Sequence, residues 1–271
     1  MLAIGRTRAG GNWHWAACGK HPLAADYFRL NVTTPLQQAF ESWVAEGFTA
    51  LPEKAGAHHE ICSWRFWSKG GKKGCLACGL LKASSDRMGR PYPLLMVGEG
   101  YIGGWEEKWA HLPHFLKAGW HQMEDIASRR FDDLSGFEKA LRSLKSSLHE
   151  WPAEFRNKAA TGEGLAPEAV AAGGGINFAA LEPPGDAGRW MIKLDQRHLA
   201  DEDTAPQRLG GQLAKQGVVL PNALFIGGSP KQQFLVVFNR SLQTRDFVHL
   251  WSVGKGRREG EGSESAIFPL S

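Results

Sequence analysis

Apolar positions along this chain fall into two rhythms, and the switches between them lay out the elements. Residues 13 to 18, Trp-His-Trp-Ala-Ala-Cys, read as a first strand that Gly19 and Pro22 break. The spacing then lengthens: Leu36, Phe40, Trp43 and Val44 share one helical face, with Gly47 as the expected end. Thr34-Pro35-Leu36-Gln37 supplies the start. Thr34 can cap, Pro35 suits the first helical position, and Gln37 can reach back to close a capping box. Residues 61 to 67, Ile-Cys-Ser-Trp-Arg-Phe-Trp, return to a strand. A Gly- and Lys-rich turn leads into a second strand from Cys75 to Ala83. The polar segment Ser84 to Arg90 reverses the chain, and Pro93 to Val97 makes a third strand, so this stretch predicts an antiparallel meander.

Two helices follow. The first begins near Pro113 and carries Leu116, Trp120, Met123 and Ile126 on one face. The second has a capping-box start at Ser135-Gly136-Phe137-Glu138 and the stripe Phe137, Leu141, Leu144 and Leu148, and Trp151-Pro152 ends it. Residues 157 to 175, rich in Gly and Ala, read as a connection. Beyond it the pattern predicts strands near 176–181 and 190–194 and a polar helix near 204–216. A hairpin then pairs 223–226 with 233–238 around Gly227-Gly228-Ser229-Pro230. The expected organisation is one α/β domain over 12–252, with halves 12–152 and 174–252. The second half completes the sheet, and residues 253–271 form a flexible tail.

Composition narrows the function classes. The 271 residues carry 42% hydrophobic and 22% charged positions and a net charge of +4, with Lys and Arg scattered among Asp and Glu. That distribution lacks the basic stripe of a nucleic-acid binder. No apolar run reaches membrane-spanning length, and no secretory signal is visible. Four cysteines do not make a disulfide framework in a chain of this size, which makes the cytoplasm the expected location. Eleven Trp and fourteen Phe exceed ordinary needs, and a surplus at the surface would suit a protein interface. Trp105 and Trp109, separated by Glu106, Glu107 and Lys108, are the expected interface aromatics.

The candidate chemistry is sparse. His59, Cys62, Cys75 and Cys78 have the spacing of zinc half-sites. Cys75 and Cys78 fall on an expected strand, where residues three apart point to opposite faces. The pattern therefore favours buried thiols acting as small hydrophobes over a metal or redox site. Neither Gly173-Gly174-Gly175 nor Gly227-Gly228-Ser229 has the form of a phosphate loop, and no nucleophile elbow is present. No cofactor, metal or catalytic residue is expected. Asp86, Arg87 and Arg90 crowd one turn. Asp86 can bond nearby backbone amides, Arg90 can pair with it, and Gly89 can supply a positive φ; two guanidinium groups there could also read a partner's charges. Lys20 and Asp26 flank a proline turn, and Asp26 could meet Arg87 or Arg90 as a clamp between the two segments.

Two segments resemble a known family. Gly19-Lys20-His21-Pro22-Leu23-Ala24-Ala25-Asp26-Tyr27-Phe28 is similar to the opening signature of the TagF/ImpM proteins, in which Gly-Lys-x-Pro is followed by Gly-Asp-Phe or Gly-Asp-Tyr. Ala25 stands where that signature has Gly. Trp64-Arg65-Phe66, and then Ser84-Ser85-Asp86-Arg87-Met88-Gly89-Arg90-Pro91-Tyr92-Pro93-Leu94, look like the family's Trp-Arg-Phe strand and its Ser-x-Asp-Arg-x-Gly-Arg-x-x-Pro-Leu motif. The resemblance spans roughly residues 13 to 150, and 222–251 is similar to the family's closing hairpin and helix. It implies a three-layer α/β/α sandwich with a central mixed, largely antiparallel sheet. It also implies a non-enzymatic cytoplasmic accessory of type VI secretion, a post-translational repressor that acts through a component carrying a forkhead-associated (FHA) domain. Lys20, Asp26, Asp86, Arg87 and Arg90 are the candidate binding residues that it marks. The alternatives are a structural adaptor of the secretion baseplate, or a zinc-binding or redox protein that uses Cys62, Cys75 and Cys78.

Overall fold

The computed structural model describes residues 13–52, 61–144, 188–194 and 220–253. Eight strands form one sheet: β1 (His14–Gly19), β2 (Phe28–Leu30), β3 (Ser63–Lys69), β4 (Cys75–Lys82), β5 (Leu94–Tyr101), β6 (Arg189–Leu194), β7 (Ala223–Gly228) and β8 (Gln233–Phe238). Their order is β2-β1-β5-β4-β3-β7-β8-β6. Every pairing is antiparallel, so the mixed sheet expected from the resemblance is an antiparallel one among the described strands. The β3-β4-β5 meander is present as the pattern predicts, and the β7-β8 hairpin joins the same sheet by pairing β7 with β3.

The strands bury both faces. Side chains alternate along a strand, and the core divides accordingly. Trp15 and Ala17 of β1, Trp67 of β3, Leu76, Cys78 and Leu80 of β4, and Leu235 and Val237 of β8 pack into one cluster. Ala16 and Cys18, Trp64 and Phe66, Ala77 and Leu81, and Phe234 and Val236 pack into the other. This is why β4 reads as a near-continuous apolar run rather than as an alternation.

Among the described residues, four α-helices and the segments that connect the elements supply the rest of the two clusters. Helix α1 (Pro35–Thr49) opens with the capping box foreseen from Thr34 and Gln37, and Phe40, Trp43 and Val44 enter the second cluster. The helix runs past Gly47, which corrects the expected end. A Cβ there would lie 2.4 Å from the Phe247 side chain, so the glycine marks the close approach of a later helix rather than a terminus. That later helix is α4 (Thr244–Ser252), with Phe247 and Leu250 buried.

On the other face lie α2 (Leu112–Ser128) and α3 (Leu134–Ser143). Leu116, Trp120, Met123 and Ile126 are buried as their spacing predicts, as are Phe137, Leu141 and Leu144 of the second stripe. The start of α3 differs from expectation. Asp133, not Ser135, is the cap, and its carboxylate accepts from the Gly136 N–H at 2.8 Å. Asp is as strong an N-cap as Ser, and two residues of extra helix follow from using it. Arg65 of β3 donates to Glu124 of α2 in a two-pronged contact at 2.7 and 2.8 Å. The strand expected near 176–181, the helix near 204–216, the connection at 157–175, Leu148, Trp151-Pro152 and the tail from 254 lie outside the described residues.

Candidate functional site

The strand registers place three loops at one end of the sheet. Gly19 pairs with Leu94, Lys82 with Leu94, and Ser63 with both Lys82 and Gly228. The β1–β2 loop (20–27), the β4–β5 loop (83–93) and the β7–β8 turn (229–232) therefore emerge side by side.

Asp86 organises the middle loop. Its side chain is fully buried. One carboxylate oxygen accepts from the Met88 and Arg90 backbone N–H groups at 2.9 and 3.0 Å, which is an Asx-type closure of the turn. The other accepts from Arg90 Nε at 2.7 Å and pairs with Lys20 Nζ at 2.9 Å. Gly89 completes the turn at φ 77°, a left-handed conformation that a side chain disfavours. Burial alone would raise the Asp86 pKa, but the bonds from Lys20, Arg90 and Met88 outweigh it and hold the carboxyl at about 2.

The same cations bind the first loop to the second. Arg90 donates to the Ala25 carbonyl at 2.8 Å and pairs with Asp26 at 3.3 Å, while Lys20 reaches Asp26 at 3.7 Å. Arg87 takes part through backbone groups: its N–H donates to the Ala24 carbonyl and its guanidinium to the Leu23 carbonyl, each at 2.8 Å. So the structure brings Lys20, Asp26, Asp86 and Arg90 into one ion-pair network and sets Arg87 beside it. Of the two partners open to Asp26, the structure selects Arg90. Ala25 is exposed, and the guanidinium reaches its carbonyl with the methyl in place.

Trp105 and Trp109 are not interface aromatics. They are 0% and 7% exposed and pack on Trp67 at ring distances of 5.6 and 6.4 Å. The polar residues between them open a 3₁₀ turn (Glu106–His111) whose backbone departs from helical geometry at Lys108, and both tryptophans turn in against Trp67 on the sheet. Among the described residues, the exposed large apolar side chains are instead Tyr27, Ile61, Met88 and Tyr101. Sequence reasoning did not single these out. The usable signal was Met88, an apolar residue inside an otherwise polar turn.

The cysteines are thiols dispersed through the fold. Cys78 lies in one core cluster and Cys62 in the other, on opposite sides of the sheet, so they cannot share an ion. Cys75 Sγ donates to Glu99 at 3.3 Å; burial, then that carboxylate, push its pKa up to about 11. Burial also pushes the Cys78 thiol up, leaving both poor nucleophiles. No group of three or more potential metal ligands occurs among the described residues, and His59 lies outside them. No helix among the described residues is long and apolar enough to cross a membrane.

Comparison with solved structures finds the crystal structure of PA0076 from Pseudomonas aeruginosa PAO1. It aligns at a TM-score of 0.51 and 17% identity, over 95% of this chain and 99% of that one, which shows a shared fold. No curated protein matches the chain. The family model of the TagF N-terminal domain, type VI secretion system-associated, matches residues 16–147, the stretch that holds most of β1, all of β2 through α3 and the whole ion-pair network. Residues 16–147 thus carry a TagF N-terminal domain, of the type VI secretion system-associated family.

Proposed function

We propose that this protein is a cytoplasmic, non-enzymatic regulator of type VI secretion that represses the system after translation by binding its FHA-domain component. The observation that carries the reading is the use made of the family-matched residues. Lys20, Asp26, Asp86 and Arg90 spend their charge on one another and on two loops. A reactive group needs a partner to activate it and an open side toward substrate. Here the four groups instead hold two loops in a fixed shape, as a recognition surface requires. The two core clusters, with α2 and α3 on one side and α1 and α4 on the other, also support the expected three-layer sandwich and a single domain over 12–252.

The test uses the purified full chain and the purified FHA-domain component. Isothermal titration should give saturable binding, and deleting the gene in the host should raise secretion of a type VI effector. Absence of binding sinks the reading. Binding with secretion abolished by the deletion replaces repression with an assembly role at the baseplate.

A further inference from the structure

Of the four exposed large apolar side chains among the described residues, three gather at one end of the sheet. Tyr27 (40% exposed) sits in the β1–β2 loop, Ile61 (64%) just before β3, and Met88 (75%) at the tip of the β4–β5 loop. Tyr101, the fourth, lies at the opposite end. With strands about 4.8 Å apart, the stretch from the β1–β2 loop to the β7–β8 turn spans about 24 Å. A patch of that breadth fits the roughly 800 Å² that each partner gives to a standard interface.

The charges of this end have a sign. Its described loop residues carry four cations, Lys20, Arg87, Arg90 and Lys231, and two carboxylates, Asp26 and Asp86. Both carboxylates are taken by Lys20 and Arg90, which leaves Arg87 and Lys231 as the excess. The adjoining segment 129–133 holds two Arg and two Asp and does not change the balance. Met88 stands beside Arg87 on a turn that Asp86 fixes from within, so its side chain meets a partner with the backbone already ordered.

We propose that this end of the sheet is the docking surface for the regulated partner, and that it takes an acidic segment of that protein whose apolar residue packs on Met88. The inference rests on the regulatory reading above and adds the surface and the partner's chemistry. Met88 supplies an adaptable apolar contact, Tyr27 and Ile61 widen it, and Arg87 and Lys231 select carboxylates. Arg87, held to the Leu23 carbonyl, needs little further ordering.

The experiment titrates the purified FHA-domain component with wild-type protein, Met88→Asp, Lys231→Glu and Tyr101→Ser, each verified as folded by its thermal transition. Met88→Asp should weaken binding about 10-fold or more, and Lys231→Glu several-fold with a shallower salt dependence. Tyr101→Ser, at the far end, should match wild type. If wild type binds and Met88→Asp and Lys231→Glu bind equally well, the surface is wrong and the regulatory reading survives. If wild type does not bind, both fall together.

Discussion

Asp86 is a carboxylate that water cannot reach, and its worth depends on keeping its charge. Burial opposes ionisation, and four donors from Lys20, Arg90 and Met88 reverse that. Its folded-state pKa, about 2, lies below the ordinary 3.8. The stabilisation it gives is therefore complete above about pH 4 and lost as pH falls from 3.8 towards 2. Asp86→Asn should lower the urea midpoint at pH 7, with the gap to wild type narrowing over that acid range. A gap unchanged at low pH would mean that the carboxylate's charge is not what holds the loops. His21, buried between Phe131 and Phe137, works in a different window. Burial pushes its pKa below 6.5, so it stays neutral in the fold and costs stability as pH falls below that value.

Helix α1 shows at the scale of an element which signals travel locally and which do not. Its start was legible because the cap, the proline and the answering Gln37 lie within four residues. Thr34→Ala should cost about 1 kcal/mol in chemical denaturation. Its end was not legible, because Gly47 answers to Phe247, two hundred residues on. Gly47→Ala separates the two readings. As an ordinary helix interior, the change would stabilise by about 1 kcal/mol. Against Phe247 the added methyl forces a shift, typically 1–3 kcal/mol of overpacking, so net destabilisation is expected.

The site divides in the same way. The closure of the turn by Asp86 and Arg90, four residues apart, could be read from the motif. The contact of Lys20 with Asp86 follows only once Gly19 is paired with Leu94. The exposure assigned to Trp105 and Trp109 failed for a related reason: intervening charges report one side of a helical turn, and the sheet beneath takes the other. Strand identity was legible throughout the meander, whereas the order that sets β7 against β3 is a tertiary fact with no local signature.

For the whole molecule, the family-matched stretch is smaller than the folding unit. Residues 16–147 contain most of β1 and all of β2 to β5, but β3 has only one neighbour among them, and its other partner is β7. Removing β7, β8 and α4 also takes Phe225, Phe234, Val236, Phe238, Phe247 and Leu250 from the second core cluster. A fragment ending at residue 150 should aggregate or unfold without cooperativity, seen by light scattering and urea titration. A monomeric fragment with a sharp transition would show that the first half stands alone.

The β3–β7 pairing also sets a schedule for synthesis. Roughly 150 residues separate the end of β3 from the start of β7. At about 5–20 residues per second, the ribosome leaves that strand waiting for about 8–30 s. Throughout the wait, the unpaired backbone edge of β3 and the aromatic side chains Trp64 and Phe66 remain available to any neighbouring nascent chain. Yield in a heterologous host should accordingly follow chaperone supply and culture temperature more closely than it follows the equilibrium stability of the finished protein.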